Sequence, residues 1–259
     1  MLGVNVKRLF DLTGRIAIVS GGSMGLGRQM AEGLAEMGAN LVLCARNKER
    51  CELAAESLRS LGVQALALAC EVRDKAAIEH VVEQTLAKFG RIDILVNNAG
   101  VSWGAPVEDM TLEQWDKVLS TNLTGTFLFC QAAGKAMVAQ RSGKIINIAS
   151  VAGLGGASVE LQAIGYHASK GGVIAFTKDL ACKWAPHNIQ VNAIAPGWFP
   201  THMSGWIIEH RKDSLLAKIP MGRFGGDHDL KGAAVFLAAD ASAYVTGHVL
   251  VVDGGQTAW

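Results

Sequence analysis

The sequence predicts an α/β protein: one open, doubly wound parallel sheet of about seven strands with helices on both faces. Three observations carry this. Short apolar, β-rich runs alternate with longer helical patterns from one end of the chain to the other. The strand runs are almost continuously apolar, the mark of strands buried on both faces. Glycine is concentrated immediately after the first strand, where an open sheet places its tight turn. A closed eight-fold βα barrel is the rival architecture, but about seven strands and that glycine cluster suit an open sheet better.

The elements follow in order. Residues 15–20, with Ile16, Ile18 and Val19, form the first strand, and 26–37 the first helix. Residues 40–45 and 64–69 are the next strands, separated by a helix over 49–61. A helix over 75–89 leads to a strand over 92–96. One long helix runs from 112 to about 140, with Asn122 and Gly125 expected to disturb its middle. A strand over 144–149, a helix over 165–185 and a strand over 189–194 come next. Helices over 204–218 and 227–239 precede a last strand over 249–252. No linker, charge block or internal repeat divides the 259 residues, so the whole chain reads as one domain.

Composition removes several functions. Half the residues are hydrophobic and only 18% are charged, which excludes disorder. The formal net charge of +1 offers no electrostatic footprint for nucleic acid. No apolar run reaches the ~18 residues needed to span a bilayer, and Lys7, Arg8 and Asp11 break any signal-peptide pattern. A soluble, cytoplasmic protein is expected. The five cysteines are scattered without a Cys-x-x-Cys pair, and the seven histidines form no His-Glu-x-x-His, so no metal centre is predicted.

In open α/β sheets, ligands bind beyond the carboxyl ends of the strands. After the first strand stand Gly21, Ser23, Met24, Gly25, Leu26 and Gly27, a Gly-x-x-x-Gly-x-Gly pattern opening a helix. Gly21 permits the tight turn, Gly25 close approach of a pyrophosphate, and Gly27 close helix packing. The helix N-terminus supplies free N–H groups for the phosphates. The same letters, Gly21 to Gly25, also match the Gly-x-Ser-x-Gly elbow of serine hydrolases, with Asp227 and His248 as the other members of a triad. After the second strand, the position where a carboxylate would bind the ribose hydroxyls of NAD is followed by Arg46 instead. A guanidinium matches a 2′-phosphate, so NADP(H) is favoured, with NAD(H) as the lesser possibility.

Asn97, Asn98, Ala99 and Gly100 follow the fourth strand, Ser150 ends the fifth, and Tyr166 and Lys170 share one face of the next helix at i and i+4. With the glycine loop, Asn122, Pro196 and Gly197 in order, the chain resembles a short-chain dehydrogenase/reductase along essentially its whole length. The resemblance implies a Rossmann-like fold and hydride exchange between a nicotinamide cofactor and a ketone or secondary alcohol. It implies Tyr166 as proton donor, Lys170 lowering the phenol pKa and holding the nicotinamide ribose, and Ser150 on the substrate oxygen. Asn122 would hold a water linking Lys170 to solvent. Glu71, Val72, Asn98, Ala99, Gly100, Pro196, Gly197 and Thr201 would complete the cofactor site, and a homotetramer is implied.

Three features depart from the family pattern. Ser20 and Glu71 replace the usual Thr and Asp, and Tyr166 follows Ser150 by 16 positions, a few more than usual. That longer loop, with stretches around Trp103, Ser150, Tyr166 and Trp198, resembles the gluconate 5-dehydrogenase branch. The expected substrate pocket is more apolar than a sugar acid wants: Trp103, Leu154, Trp198, Phe199, Met203 and Trp206 would line it, with His202, His210 or Arg211 as possible partners of a carboxylate. A 3-oxoacyl thioester or hydrophobic ketone is therefore an alternative substrate. Residues 198–223 are expected to form a lid. A non-catalytic NADP-binding sensor is a further alternative, because fold alone does not give function.

Overall fold

The computed structural model describes residues 5–259. Its centre is a seven-stranded sheet in the order β3-β2-β1-β4-β5-β6-β7. The strands are β1 (Ile16–Ser20), β2 (Asn40–Ala45), β3 (Ala65–Ala69), β4 (Ile94–Asn97), β5 (Gly143–Ile148), β6 (Ile189–Pro196) and β7 (Val249–Val252). All neighbours pair in parallel. The chain order turns back on itself at β1, which lies between β2 and β4. That reversal opens a crevice above the carboxyl ends of β1 and β4.

Alternation along each strand builds two cores. Ala17, Val19, Leu41, Leu43, Ile94 and Val96 point to one face, and Ile18, Val42, Leu95 and Ile145 to the other. The first face is covered by helices α2 (Gly25–Glu36), α3 (Lys48–Arg59) and α9 (Lys231–Ala238), through Met30, Leu34, Leu58 and Leu237. The second is covered by α4 (Lys75–Phe89), α6 (Gly125–Gln140) and α7 (Ile164–Trp184), through Ile78, Val81, Phe129, Met137 and Ala181. Each such aliphatic side chain taken fully out of water contributes about 1.5–3 kcal/mol. The remaining helices are α1 (Val6–Leu9), α5 (Leu112–Leu119) and α8 (Gly205–Leu216). Among the described residues, no helix is long and apolar enough to cross a membrane.

Every expected strand and major helix is present, with ends shifted by up to two residues, as in β4, which starts at Ile94, and α3, which ends at Arg59; four differences have a visible cause. The long helix expected over 112–140 is α5 and α6 joined through a π-turn at Ser120–Thr124, centred on Asn122. Gly125 is required there: a Cβ on it would lie 2.9 Å from the Val72 carbonyl oxygen. β6 runs two residues beyond the expected end because Ala195 and Pro196 pair with Val251 and Val252. α8 is kinked at Arg211 (φ −135°, ψ 25°). The helix expected from 227 begins at Lys231, because the Asp229 carboxylate accepts from the Gly226 N–H at 2.7 Å and holds the preceding residues in a turn.

A buried amide ladder locks the strands beneath the crevice. The Asn97 side chain donates to Asn147 Oδ1 at 2.9 Å, and Asn147 Nδ2 donates to Thr177 Oγ1 at 2.9 Å, joining β4, β5 and α7. Asn147 and Thr177 are fully buried. Replacing Asn147 by Leu leaves the Asn97 amide and the Thr177 hydroxyl without this partner in a dry site. We expect a loss of about 2–3 kcal/mol in stability, read as a lower midpoint in urea denaturation with unchanged slope.

Candidate active site

The turn after β1 is a cradle shaped by what cannot fit in it. Gly21 and Gly25 have φ of +64° and +54°, which favours glycine. A Cβ on Gly27 would lie 2.3 Å from the Gly21 carbonyl oxygen and 2.4 Å from Asn98 Nδ2. The end of β4 is laced to this turn. Asn98 Nδ2 donates to the Ser20 and Gly21 carbonyls at 3.1 and 3.2 Å, and Ser20 Oγ accepts from the Asn98 and Ala99 N–H groups at 3.0 and 3.2 Å. The serine thus serves as a local acceptor. Met24, at the N-cap of α2, makes no side-chain cap, so the first-turn N–H groups remain available to an anion. These features fit the diphosphate of a dinucleotide. Residues 198–204 reach the cradle through Thr201, whose Cγ2 lies 3.6 Å from where a Gly25 Cβ would be. Gly197, after β6, is pressed against the Asp253 backbone and donates its N–H to Val252 O at 3.0 Å.

The hydrolase alternative does not assemble. Ser23 lies beside the buried thiol of Cys51 at the carboxyl edge of the sheet. His248 immediately precedes β7, at the opposite edge, and Asp227 accepts from Gln29 at 3.4 Å.

Four residues named from the sequence converge beyond β4 and β5. Ser150 follows β5 and accepts from the Ala152 N–H at 3.1 Å. Tyr166 and Lys170 lie on one face of α7, with the Lys170 ammonium 5.6 Å from the tyrosine ring centroid. Lys170 Nζ donates to the Ile148 carbonyl at 2.6 Å and lies 3.7 Å from where a Gly100 Cβ would be. Asn122, in the π-turn, accepts from the Val101 N–H at 2.8 Å and donates to Val101 O and Ser169 Oγ, both at 2.9 Å. Its side chain is thereby a pin between the β4 loop and α7. These bonds use both N–H groups of its amide and leave one lone pair of Oδ1.

The electrostatics differ from the sequence expectation in one respect. Burial pushes the Tyr166 phenol above its ordinary value, outweighing the opposing hydrogen bond with Ser150. Burial also pulls Lys170 down to about 8. The expected lowering of the tyrosine by the lysine is not the dominant effect in this arrangement, because the ammonium is itself desolvated and directed at a carbonyl.

Of the remaining cofactor residues, Arg46 is exposed beyond β2. Val72 is buried against Gly125. Glu71 is partly buried and ion-paired with Arg73 at 3.2 Å. Burial opposes its ionisation, but that pair and the Arg73 N–H hold its pKa below the ordinary value. Its carboxylate is directed at Arg73.

Trp103, Leu154, His202, Met203 and Trp206 are exposed. Phe199 corrects the expectation: it is only 4% exposed and belongs to the core over α2 and α9, pressed against Gly225. Trp198 and Phe199 border a small cavity with Met221, Arg223 and Asp229. Arg211, a candidate for a substrate carboxylate, is ion-paired with Glu160 of the longer Ser150–Tyr166 loop. Trp206 stacks on His210 with centroids 4.3 Å apart. Sequence reasoning passed over Ser169 and the Ile148 carbonyl, since a helix serine and a backbone oxygen carry no motif.

A dinucleotide cradle on a doubly wound sheet, with a tyrosine and a lysine beyond β5, defines a nicotinamide-dependent oxidoreductase. A family model described as enoyl-(acyl carrier protein) reductase matches residues 21–257. The chain is 40% identical over 254 residues to gluconate 5-dehydrogenase of Gluconobacter oxydans 621H, covering 96% of this chain and 97% of that one. It is 41% identical over 250 residues to D-threitol dehydrogenase of Mycolicibacterium smegmatis, covering 96% and 95%. The solved structure of a gluconate 5-dehydrogenase from Burkholderia cenocepacia J2315, in complex with NADP and tartrate, superposes with a TM-score of 0.94 at 37% identity, covering 98% of this chain and all of that one. The protein belongs to the short-chain dehydrogenase/reductase family and is an oxidoreductase acting on CH–OH groups.

The cradle makes a direct prediction. Gly27→Ala places a methyl group inside van der Waals contact of the Gly21 carbonyl and must open the turn. Titration by intrinsic fluorescence should show dinucleotide affinity reduced by roughly two orders of magnitude or more, with the fold intact by circular dichroism.

Proposed function

We propose that the protein interconverts a ketone and a secondary alcohol with NADP(H), using Tyr166 as the general acid and base. The observation that carries this is the convergence of Ser150, Tyr166 and Lys170 beside the glycine cradle. When bound, the cofactor supplies or accepts the hydride. In reduction, Tyr166 donates its phenolic proton to the carbonyl oxygen, and in oxidation it takes that proton back. Ser150 hydrogen-bonds the same oxygen and stabilises its developing charge. Lys170 lends positive charge to the phenolate and binds the nicotinamide ribose. Asn122 acts by holding the Val101 segment and α7 in register. Arg46 receives the 2′-phosphate, and the complex with NADP described for the Burkholderia relative supports that reading.

The substrate is a polyhydroxylated ketone of the sugar-acid or sugar-alcohol class, as the names of the Gluconobacter and Mycolicibacterium relatives suggest. Residues 198–223 act as the lid over it. The exposed rim of Trp103, Leu154, Met203 and Trp206, together with Arg211 already bound to Glu160, favours a second reading: a hydrophobic ketone or 3-oxoacyl thioester. The enzyme works as a cytoplasmic homotetramer with no nucleic-acid partner.

The test follows nicotinamide absorbance with NADP⁺ and D-gluconate. Turnover that Tyr166→Phe lowers at least about 10³-fold supports the first reading. Turnover only with hydrophobic ketones or 3-oxoacyl thioesters and NADPH supports the second. Ser150→Ala should lower kcat about 10²-fold with little change in cofactor affinity.

The sign of the pH dependence follows from the tyrosine. Oxidation requires the phenolate, and burial raises the phenol pKa. The kcat/KM for oxidation should therefore still be rising between about pH 7 and about pH 10. An oxidation profile already at its plateau at neutral pH would contradict this assignment.

A further inference from the structure

Two guanidinium groups, not one, follow β2 at the carboxyl edge beside the glycine turn. Arg46 follows β2 directly. Arg50 lies one turn into the chain beyond it, in the first turn of α3, whose start is set by the Asn47 side chain accepting the Arg50 N–H at 2.7 Å. The Arg50 side chain does not extend along α3. Its Nη1 reaches back to Met24 Sδ at 3.3 Å, over the residue that caps the phosphate-binding helix. The adjacent Cys51 approaches Ser23 of the same turn, so the α3 start and the glycine loop pack residue on residue.

Both groups lack a proper acceptor. A guanidinium carries five N–H donors, and a thioether is only a weak acceptor. Among the described residues, neither Arg46 nor Arg50 takes part in an ion pair. Arg28, beside the same loop, is different: it donates to Glu32 at 2.8 Å and to Ser57 at 2.7 Å. Glu71, whose carboxylate feels the Arg46 charge, is itself held by Arg73 and so adds little repulsion toward an anion. Two unpaired like charges beside one turn await a group carrying about two negative charges and several acceptor oxygens. A phosphate monoester has both properties.

We propose that Arg50, propped by Met24, is a second ligand for the 2′-phosphate of NADP(H), acting with Arg46 to set the cofactor preference. This rests on the cofactor reading given above and extends it to a residue that no sequence motif marks. The two arginines grip the phosphate from different elements, the β2 end and the α3 first turn. Preference for NADP(H) is then shared between them.

The test measures binding rather than turnover. The full chain and its variants are titrated with NADPH and with NADH, and with adenosine 2′,5′-bisphosphate and ADP, by calorimetry or fluorescence. Arg50→Ala should raise the Kd for NADPH and for the 2′,5′-bisphosphate on the order of tenfold, with NADH and ADP changed less than about twofold. Arg50→Lys should recover part of the loss, and the difference should shrink in high salt. Arg28→Ala, at a guanidinium already occupied, should leave the NADPH to NADH ratio unchanged. A ratio unaltered by Arg50→Ala but collapsed by Arg46→Ala would overturn the proposal and leave the cofactor reading standing. A wild-type protein that binds NADH as tightly as NADPH would overturn both.

Discussion

No side chain fits between the turn after β1 and the start of α2, and much of the site depends on that closeness. The Gly21 carbonyl lies where a Cβ of Gly27 would be, and Asn98 reaches across from β4 to donate to the same carbonyl. The contact is possible because β1 and β4 are neighbours, a consequence of the reversal of chain order at β1. It leaves the α2 N–H groups aimed outward and uncapped. Ser20, bonded to the first two amides after Asn97, holds the β4 loop in position, and that loop brings Gly100 against Asn122 and Lys170.

Burial is the second constraint, and it acts on charge. Lys170 is 4% exposed, and its ammonium survives there by donating to the Ile148 carbonyl. An ammonium in that environment binds its proton less tightly, while a phenol binds its proton more tightly. The two groups are thereby pushed apart on the pH scale: the lysine falls to about 8 and the tyrosine rises above its ordinary value. A phenol that remains protonated at neutral pH is suited to donating a proton to a carbonyl. The neighbouring Ser150 opposes part of the rise, and a substrate oxygen placed there would meet both hydroxyls.

The legible part of the molecule follows from local rules. Short, nearly continuous apolar runs marked each strand, and alternation within them divides Val19 from Ile18 and Leu43 from Val42 between the two cores. The glycine turn and the Tyr166/Lys170 spacing were legible because each depends on backbone geometry within a few residues. Asn122 and Gly125 advertised a disturbed helix, and a π-turn stands there. Phe199 was misread because an aromatic residue after a strand suits a pocket wall and a core equally. Gly225, 26 residues later, decides for the core by leaving room for the ring. The pairing of Arg211 with Glu160 was not legible because the two are 51 residues apart in the chain.

The sequence by itself determined the strand and helix order, the parallel sheet and the residues that gather at its carboxyl edge. These depend on side-chain periodicity and on turns closed by neighbouring residues. Only the tertiary structure decided which polar groups were still free to meet a ligand. Asn122 is committed to Val101 and Ser169, Glu71 to Arg73 and Arg211 to Glu160, while among the described residues Arg46 and Arg50 have no ion-pair partner. The reason is physical: a hydrogen bond or ion pair is a contact between two groups at a set distance. One of the two is usually supplied by an element that the local pattern of the other does not specify.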